Sequence, residues 1–431
     1  MVHLLAYSKI LQSDLVVAMG CTEPIAIAFC AAKAREILGE CPESIDAYCS
    51  GNIIKNVHSV TVPNSKGLKG VEIAAALGAF GGNASKGLEV LTGLSDEEIA
   101  LASDFANKGN VTVHHENTRG KLFIRCVLKS IQNTAEVVIS GRHTNITVMK
   151  KNEIRLNSSS EGIENAPDAD INLSQLNIDD IYAFASFVDL DNDCDLMDTL
   201  DRQIAYNVNI ASVGIAEPWG NEIGRTLLNF NKDGPDVEAT AWAAAGSDAR
   251  MGGCAMPVVT NSGSGNQGIT VSVPVIMTAR QHGYSREKLY RALIISNLVN
   301  IHEKAHIGNL SAFCGAVTAA AGAGAGIAYL YDMSLEQIKM VITNTLAGSL
   351  GILCDGAKPS CALKIYAALS TAMLAIEMAK NSLVIEPGEG FVGPSIEMTI
   401  DNIGQIAVDG MDNADAEMLK VIINNNNSHT G

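Results

Sequence analysis

The sequence predicts an α+β protein. A large, mainly helical domain is formed by the N-terminal helices and the C-terminal half, and a smaller mixed α+β domain is inserted between them. Three observations predict this. Short segments rich in β-branched residues gather between about residues 45 and 155. Alanine-rich stretches that read as helices flank this block on both sides. A polar, acidic run, "NSSSEGIENAPDADIN", follows the block and reads as a linker or exposed loop. The divisions expected are 1–42, N-terminal helices packing on the C-terminal helical domain; 43–158, the mixed domain; 159–175, the acidic linker; and 176–431, a helical domain carrying the catalytic site. A chain of 431 residues exceeds one small core, which agrees with two domains.

The elements follow in order. Residues 1–40 read as two helices split at Gly20, the second being "PIAIAFCAAKAREIL". "IDAYCS", "VHSVTV", "NVTVHH", "LFIRCVLKS", "AEVVIS" and "NITVMKK" are short, often alternating and strand-like. Two helices interrupt them. One is "GVEIAAALGAFGG"; the other, "SDEEIALASDFANKG", opens with an N-cap serine and an acidic first turn. From 176 to about 425 the pattern is helical, and Ser334 with Gln337 forms a capping box. The tail "NNNNSHTG" reads as frayed.

Composition narrows the function. The formal charge of −17 repels nucleic acid and anionic membrane surfaces, so neither is expected as a partner. No basic start followed by a long apolar run marks a signal peptide, so a cytoplasmic location is expected. The uncharged stretch Ile307 to Tyr331, long enough to cross a bilayer, is rich in Gly and Ala and reads as a buried helix pair. The ten cysteines are expected as reduced thiols. Cys30, Cys126, Cys41, Cys49, Cys194 and Cys254 read as packing residues.

Four constellations can carry chemistry. The first is "MGCTEP": Gly20 can end one helix, and Thr22 or Glu23 can cap the next, with Pro24 in its first turn. Cys21 would then lie at the positive end of a helix dipole, which favours thiolate; the plain alternative is a helix connection with an incidental cysteine. The second is Cys314, Cys354 and Cys361. Three thiolates from two loops can hold three irons of a [4Fe–4S] cluster and leave one open, although the spacing is not a C-x-x-C pair and zinc is a rival. The third is "TNSGSGNQGITVSVPV", where Ser262, Ser264, Asn266 and Gln267 offer donors suited to a carboxylate or phosphate. The loop matches no nucleotide-binding pattern. The fourth places Lys55 and Asn56 ("SGNIIKN") and His143, Thr144 and Asn145 ("RHTNI") at strand mouths. His302 and His306 stand four apart but have no evident third ligand.

These segments together resemble the iron–sulfur L-cysteine desulfidase family, which is related to the alpha chain of iron–sulfur L-serine dehydratases. The resemblance is carried by "GCTEP" at 20–24, "SGNIIKN" at 50–56, "HTNI" at 143–146, "NSGSGNQG" at 261–268, Cys314 with Cys354, "GAKPSCALKI" at 356–365 and "TIDNIGQIAVDGM" near the end. It implies an oxygen-sensitive [4Fe–4S] cluster, no pyridoxal phosphate, and β-elimination of L-cysteine or L-serine to pyruvate and ammonia, with sulfide released from cysteine. It implies a cytosolic enzyme and a homodimer. By the resemblance, Cys314 and Cys354 are cluster ligands, and Cys361 is inferred as the third. No cysteine in the "SHTG" tail can fill the open iron, unlike in the related dehydratases.

The mechanism expected has Cys21 as base or as fourth cluster ligand. Ser262, Ser264, Asn266 and Gln267 hold the substrate's carboxylate or amino group, with Lys55, Asn56, His143 and Thr144 closing the pocket. Two other readings stay open: a pyridoxal-phosphate lyase using Lys358 or Lys55, and a non-catalytic amino-acid-binding protein whose cysteines only pack.

Overall fold

The computed structural model describes residues 2–116, 120–157, 173–230, 235–308 and 310–427. The chain begins with α1 (Val2–Asp14), a short strand β1 (Val17–Met19) and α2 (Thr22–Leu38). Gly39, at φ 81°, ends α2 with its N–H on the Arg35 carbonyl. β2 (Ser44–Cys49), α3 (Gly51–Val57), α4 (Val71–Gly81) and α5 (Asp96–Asn107) follow, and Ser95 and Glu98 form a capping box on α5. The remaining strands of the block are β3 (Val111–His115), β4 (Phe123–Lys129), β5 (Thr134–Ser140), β6 (Ile146–Lys151) and the short β7 (Ile154–Arg155).

The sheet order is β3-β2-β4-β5-β6-β7; β2 and β3 are parallel and every other pair antiparallel. Alternation along the strands puts Ile45, Ala47 and Cys49 in the core with Ile124, Cys126, Leu128 and Val137. Helices α2 and α4 cover this face. They meet backbone to backbone: a Cβ on Gly78 would lie 2.1 Å from the Ala28 carbonyl oxygen.

The second half is helical: α6 (Ile178–Phe187), α7 (Cys194–Ala216), α8 (Ile223–Phe230) and α9 (Pro235–Met251). The three-residue β8 (Pro257–Val259) precedes α10 (Gly265–His282), α11 (Arg286–Ile307) and α12 (Gly315–Leu330). α13 (Leu335–Ser349), opened by the Ser334–Gln337 capping box, leads to α14 (Cys361–Lys380), α15 (Ile396–Gln405) and α16 (Asp412–Asn427). α12 is almost wholly buried. Its glycines explain the small-residue composition, because a Cβ on Gly322 would come within 2.5 Å of the Ser296 carbonyl oxygen.

The α+β class holds, but several local expectations are corrected. "VHSVTV" is not a strand: Val57 ends helix α3, and only Thr61 bridges, to Lys69. Lys55 and Asn56 therefore stand on a helix. The N-terminal helices do not act as a pair. α1 joins the helical core through Tyr7, Ile10, Leu11 and Leu15, whereas α2 packs on the sheet. The reason is that α2 is buried along nearly its whole length and needs the broad sheet face opposite it. The expected helix pair at Ile307–Tyr331 is one helix, α12, preceded by a loop. α14 is the one helix among the described residues long and apolar enough to cross a bilayer. Cys41 and Cys194 are exposed rather than packed, since Cys41 lies in the loop after α2 and Cys194 is the first residue of α7, while Cys30, Cys49, Cys126 and Cys254 are buried. Most of the expected linker and the last residues of the tail lie outside the described residues.

Candidate active site

Two small β contacts assemble the site. β1 pairs antiparallel with β8, Val17 opposite Val259 and Met19 opposite Pro257. This brings "GCTEP" beside the "NSGSGNQG" loop, where Thr22 Oγ1 donates to the Gly263 carbonyl at 3.0 Å. Gly20, at φ 56°, turns the chain there against Pro63, and Arg250 Nε donates to the Gly20 carbonyl at 2.8 Å. The second contact is an isolated antiparallel bridge between Phe313 and Leu353. Cys314 N–H donates to Ile352 O at 3.1 Å and Cys354 N–H to Ala312 O at 2.7 Å. Two cysteines forty positions apart thus become neighbours.

Cys21, Cys314, Cys354 and Cys361 all line one cavity of about 100 Å³. Cys21 is the N-cap of α2, Cys314 the N-cap of α12, and Cys361 the first residue of α14. The same wall carries Glu23, Lys55, Asn56, Arg250, Ser264, Asn266, Gln267 and Lys304. A larger open concavity of about 440 Å³, lined by Arg125, Glu136 and Lys150 among others, lies on the sheet's outer face and holds none of the expected site residues.

The protonation of Cys21 is opposite to the expectation. Burial pushes its thiol well above the ordinary value and Glu23 adds to that; the Arg250 charge does not reverse it. Cys21 Sγ donates to Glu23 Oε2 at 3.0 Å. A helix terminus offers only partial charges. Here they lose to burial and a full carboxylate at hydrogen-bond distance. Glu23, expected with Thr22 as a helix cap, is instead the hub of the site, since Cys21 is the N-cap of α2 and no side chain caps that helix. It also accepts from Thr22 Oγ1 at 3.1 Å and from Asn56 Nδ2 at 2.9 Å. Burial disfavours its charge, but His143, the Cys21 thiol and Arg250 outweigh this and hold its pKa below the usual value.

The other thiols differ. Cys354 accepts a hydrogen bond from Cys314; this, with Lys55, the Gly356 N–H and Lys364, brings Cys354 down to about 6 against the effect of burial. The same bond, burial and the Cys354 charge push Cys314 well up. The bond therefore favours the proton on Cys314 and the negative charge on Cys354. Cys361 Sγ points at the Gly356 carbonyl, 3.6 Å away. Burial lowers Lys304 to about 8, although the two thiols pull it the other way.

Among the described residues no group of three or more His, Cys, Asp or Glu side chains is placed to hold a single metal ion. A [4Fe–4S] cluster takes each thiolate on a different iron. It needs three thiols along one cavity wall, with cations to balance them. Cys314, Cys354 and Cys361, faced by Lys55 and Lys364, fit that donor chemistry.

Of the expected substrate contacts, Lys55, Asn56, Ser264, Asn266 and Gln267 reach the cavity. Ser262, His143 and Thr144 do not line it. Ser262 turns away at φ 50°, its N–H on Asp14 Oδ2 at 2.6 Å and its Oγ on Asn261 Oδ1 at 2.9 Å. His143 is buried behind Glu23, with Nε2 3.9 Å from Glu23 Oε1, and Thr144 is exposed on the β5–β6 turn. Lys358 pairs with Asp355 off the cavity. Arg250 and Lys304 on the cavity wall, and Asp415 behind Lys55, were not singled out by the sequence. The i, i+4 pair His302 and His306 binds Glu397 and Asp401 on α15, a helix-to-helix ladder rather than a ligand set.

Comparison with known proteins adds a family. The profile of the serine dehydratase alpha chain matches residues 85–420. Similar proteins include a UPF0597 protein of Lachnoclostridium phytofermentans, 45% identical over 96% of this chain and 98% of its own length. A UPF0597 protein of Finegoldia magna is 44% identical over 97% and 99%, and one of Treponema denticola 44% over 97% of each chain. The profile leaves out Cys21 and Lys55, whereas the full-length relatives span both regions.

Proposed function

The chain belongs to the serine dehydratase alpha chain family, and from that premise we propose that it is a lyase that eliminates the β-substituent of L-cysteine, yielding pyruvate, ammonia and sulfide. The observation that carries the reading is the meeting of Cys21, the three cysteines of the C-terminal half and the "NSGSGNQG" loop on one buried cavity. L-Serine is the second reading, favoured by the family's own name. A cytoplasmic setting, where thiols stay reduced, suits the ten free cysteines.

A [4Fe–4S] cluster held by Cys314, Cys354 and Cys361 would supply a Lewis acid for the departing sulfur or oxygen. The protein's own groups handle the proton. Cys21 rests as a thiol, so it acts as a base only together with Glu23: the thiol proton passes to Glu23 Oε2 and the α-proton to Sγ. That transfer is uphill, because the thiol is a weak acid and the carboxylate a weak base here. In return, the thiolate formed is a strong base. The electron pair of the broken Cα–H bond forms the Cα=Cβ bond as the β-substituent leaves with its electrons. The aminoacrylate tautomerises to an imine, and water hydrolyses it to pyruvate and ammonia. Asn56 and Thr22 keep Glu23 oriented throughout.

Anaerobic reconstitution with iron and sulfide tests the reading. The expected result is bound iron, sulfide release from L-cysteine, and loss of iron in Cys314→Ala and Cys354→Ala. Failure to form pyruvate from either L-cysteine or L-serine refutes it. Full turnover by Cys21→Ala refutes the role given to Cys21.

A further inference from the structure

We propose that Arg250 is the anchor for the substrate's α-carboxylate; this rests on the elimination reading and deepens it. Arg250 closes α9, is 3% exposed and lines the cysteine cavity. The other cations there include Lys55, paired with Asp415, and Lys364, paired with Asp355. Among the described residues Arg250 has no carboxylate at ion-pair distance, and its hydrogen bond is the one from Nε to Gly20 O. Glu23 is near enough to feel its charge but spends its oxygens on Cys21, Thr22 and Asn56. Glu23 offsets part of the cost of burying this guanidinium from a distance, and an anion that enters the cavity and bonds it directly offsets the rest.

The guanidinium is also held in orientation. Its Nε is pinned by the Gly20 carbonyl, and the "GSGN" loop lies against it: a Cβ on Gly265 would come within 2.4 Å of Nε. The two terminal nitrogens remain, in the fork geometry that matches a carboxylate. An independent observation points to the same class of ligand. Asn266 lines the cavity, and its Oδ1 is buried with no hydrogen-bond partner. An α-amino acid carries both kinds of partner, a carboxylate for Arg250 and an ammonium N–H that Asn266 Oδ1 accepts once its amide turns toward the cavity. Arg250 lines the same cavity as Cys21 and Glu23 and bonds the carbonyl of Gly20, the residue before Cys21, so a carboxylate anchored there brings the α-carbon to the side of the cavity that holds the proposed base pair.

The test is calorimetric binding of L-alanine and L-alaninamide to the anaerobically reconstituted protein. L-Alanine has the carboxylate and ammonium but no leaving group, and the amide lacks the charged carboxylate. The native protein is expected to prefer L-alanine by about 10- to 100-fold, the worth of one charge-assisted contact. Arg250→Gln should weaken L-alanine by that factor, leave L-alaninamide unchanged and so erase the preference. Arg250→Lys, which keeps the charge and serves if Arg250→Gln does not fold, should lose part of the preference. Equal weakening of both ligands in either folded variant overturns the proposal, because it marks a purely structural role through Gly20. So does a native protein without preference. The outcome separates from that of the elimination reading. Arg250-dependent binding without pyruvate or sulfide formation defeats only the latter; turnover of L-cysteine with acid and amide treated alike by Arg250→Gln defeats only the former.

Discussion

Replacing Asp415 by alanine removes the carboxylate opposite a buried lysine. Lys55 Nζ lies 2.7 Å from Asp415 Oδ1, and the two side chains are 2% and 10% exposed. Removing one partner of a buried pair costs about 3–5 kcal/mol, because the other charge stays buried without compensation. Lys55 keeps its hydrogen bond to the Cys354 carbonyl at 3.1 Å, which places Asp415→Ala at the lower end, about 3 kcal/mol. The pair also ties α16 to α3, so part of the loss should appear as release of the C-terminal helix. Urea unfolding measures the total, and hydrogen exchange along α16 locates it. Lys55→Met supplies the second arm of a double-mutant cycle. The double variant buries no lone charge, so its destabilisation should fall short of the sum of the singles by about 2 kcal/mol. Additivity within about 0.5 kcal/mol would refute the reasoning. An Asp415→Ala effect below about 1 kcal/mol, the worth of an exposed pair, would do the same.

Other outcomes follow from the same contacts. Asn297→Ala strands fully buried amides on Gln203 and Asn261, each bonded to Asn297 at 2.9 Å, and should cost about 2–4 kcal/mol in urea unfolding. Gly78→Ala forces α2 and α4 apart and should cost about 1–3 kcal/mol; Gly351→Ala, where an added Cβ meets nothing within 4 Å, is the neutral control. Asp248 accepts N–H bonds from Asn221 and Gly224, yet burial raises its pKa from 3.8 to about 6. The folded state then holds a proton that the unfolded chain releases. This contribution to stability is full below about pH 4 and is lost as pH rises to about 6. Asp248→Asn should abolish that slope in thermal melts at stepped pH, and an unchanged slope would assign it to another group.

Much of the fold was legible because its signals are local. The strands β2 to β6 announce themselves by β-branched alternation, and the caps at Ser95 and Ser334 form as their spacing dictates. The elements missed are those whose stability is not local. β1 and β8 have three residues each and exist only because they pair across 240 positions of chain. "VHSVTV" has strand composition, but the helix turn begun at Ser50 runs through Val57 and overrides it. The four cysteines were legible as site candidates from their glycine-bounded settings. Thr144 and Ser262 were misplaced because loop composition does not say which way a side chain turns.

The sequence by itself determined the residue chemistry: thiols, an acid beside one of them, a donor-rich loop, and element types set by nearest neighbours along the chain. Tertiary structure alone decided what that chemistry does. It set Glu23 against Cys21 and so made a thiol of the expected thiolate; it put Arg250 in the cavity with no carboxylate at ion-pair distance among the described residues; it brought Asp415 from the last helix to Lys55. The physical reason is common to all three. A charge's ease of ionisation depends on burial and on the charges around it, and both are fixed by residues remote in the chain.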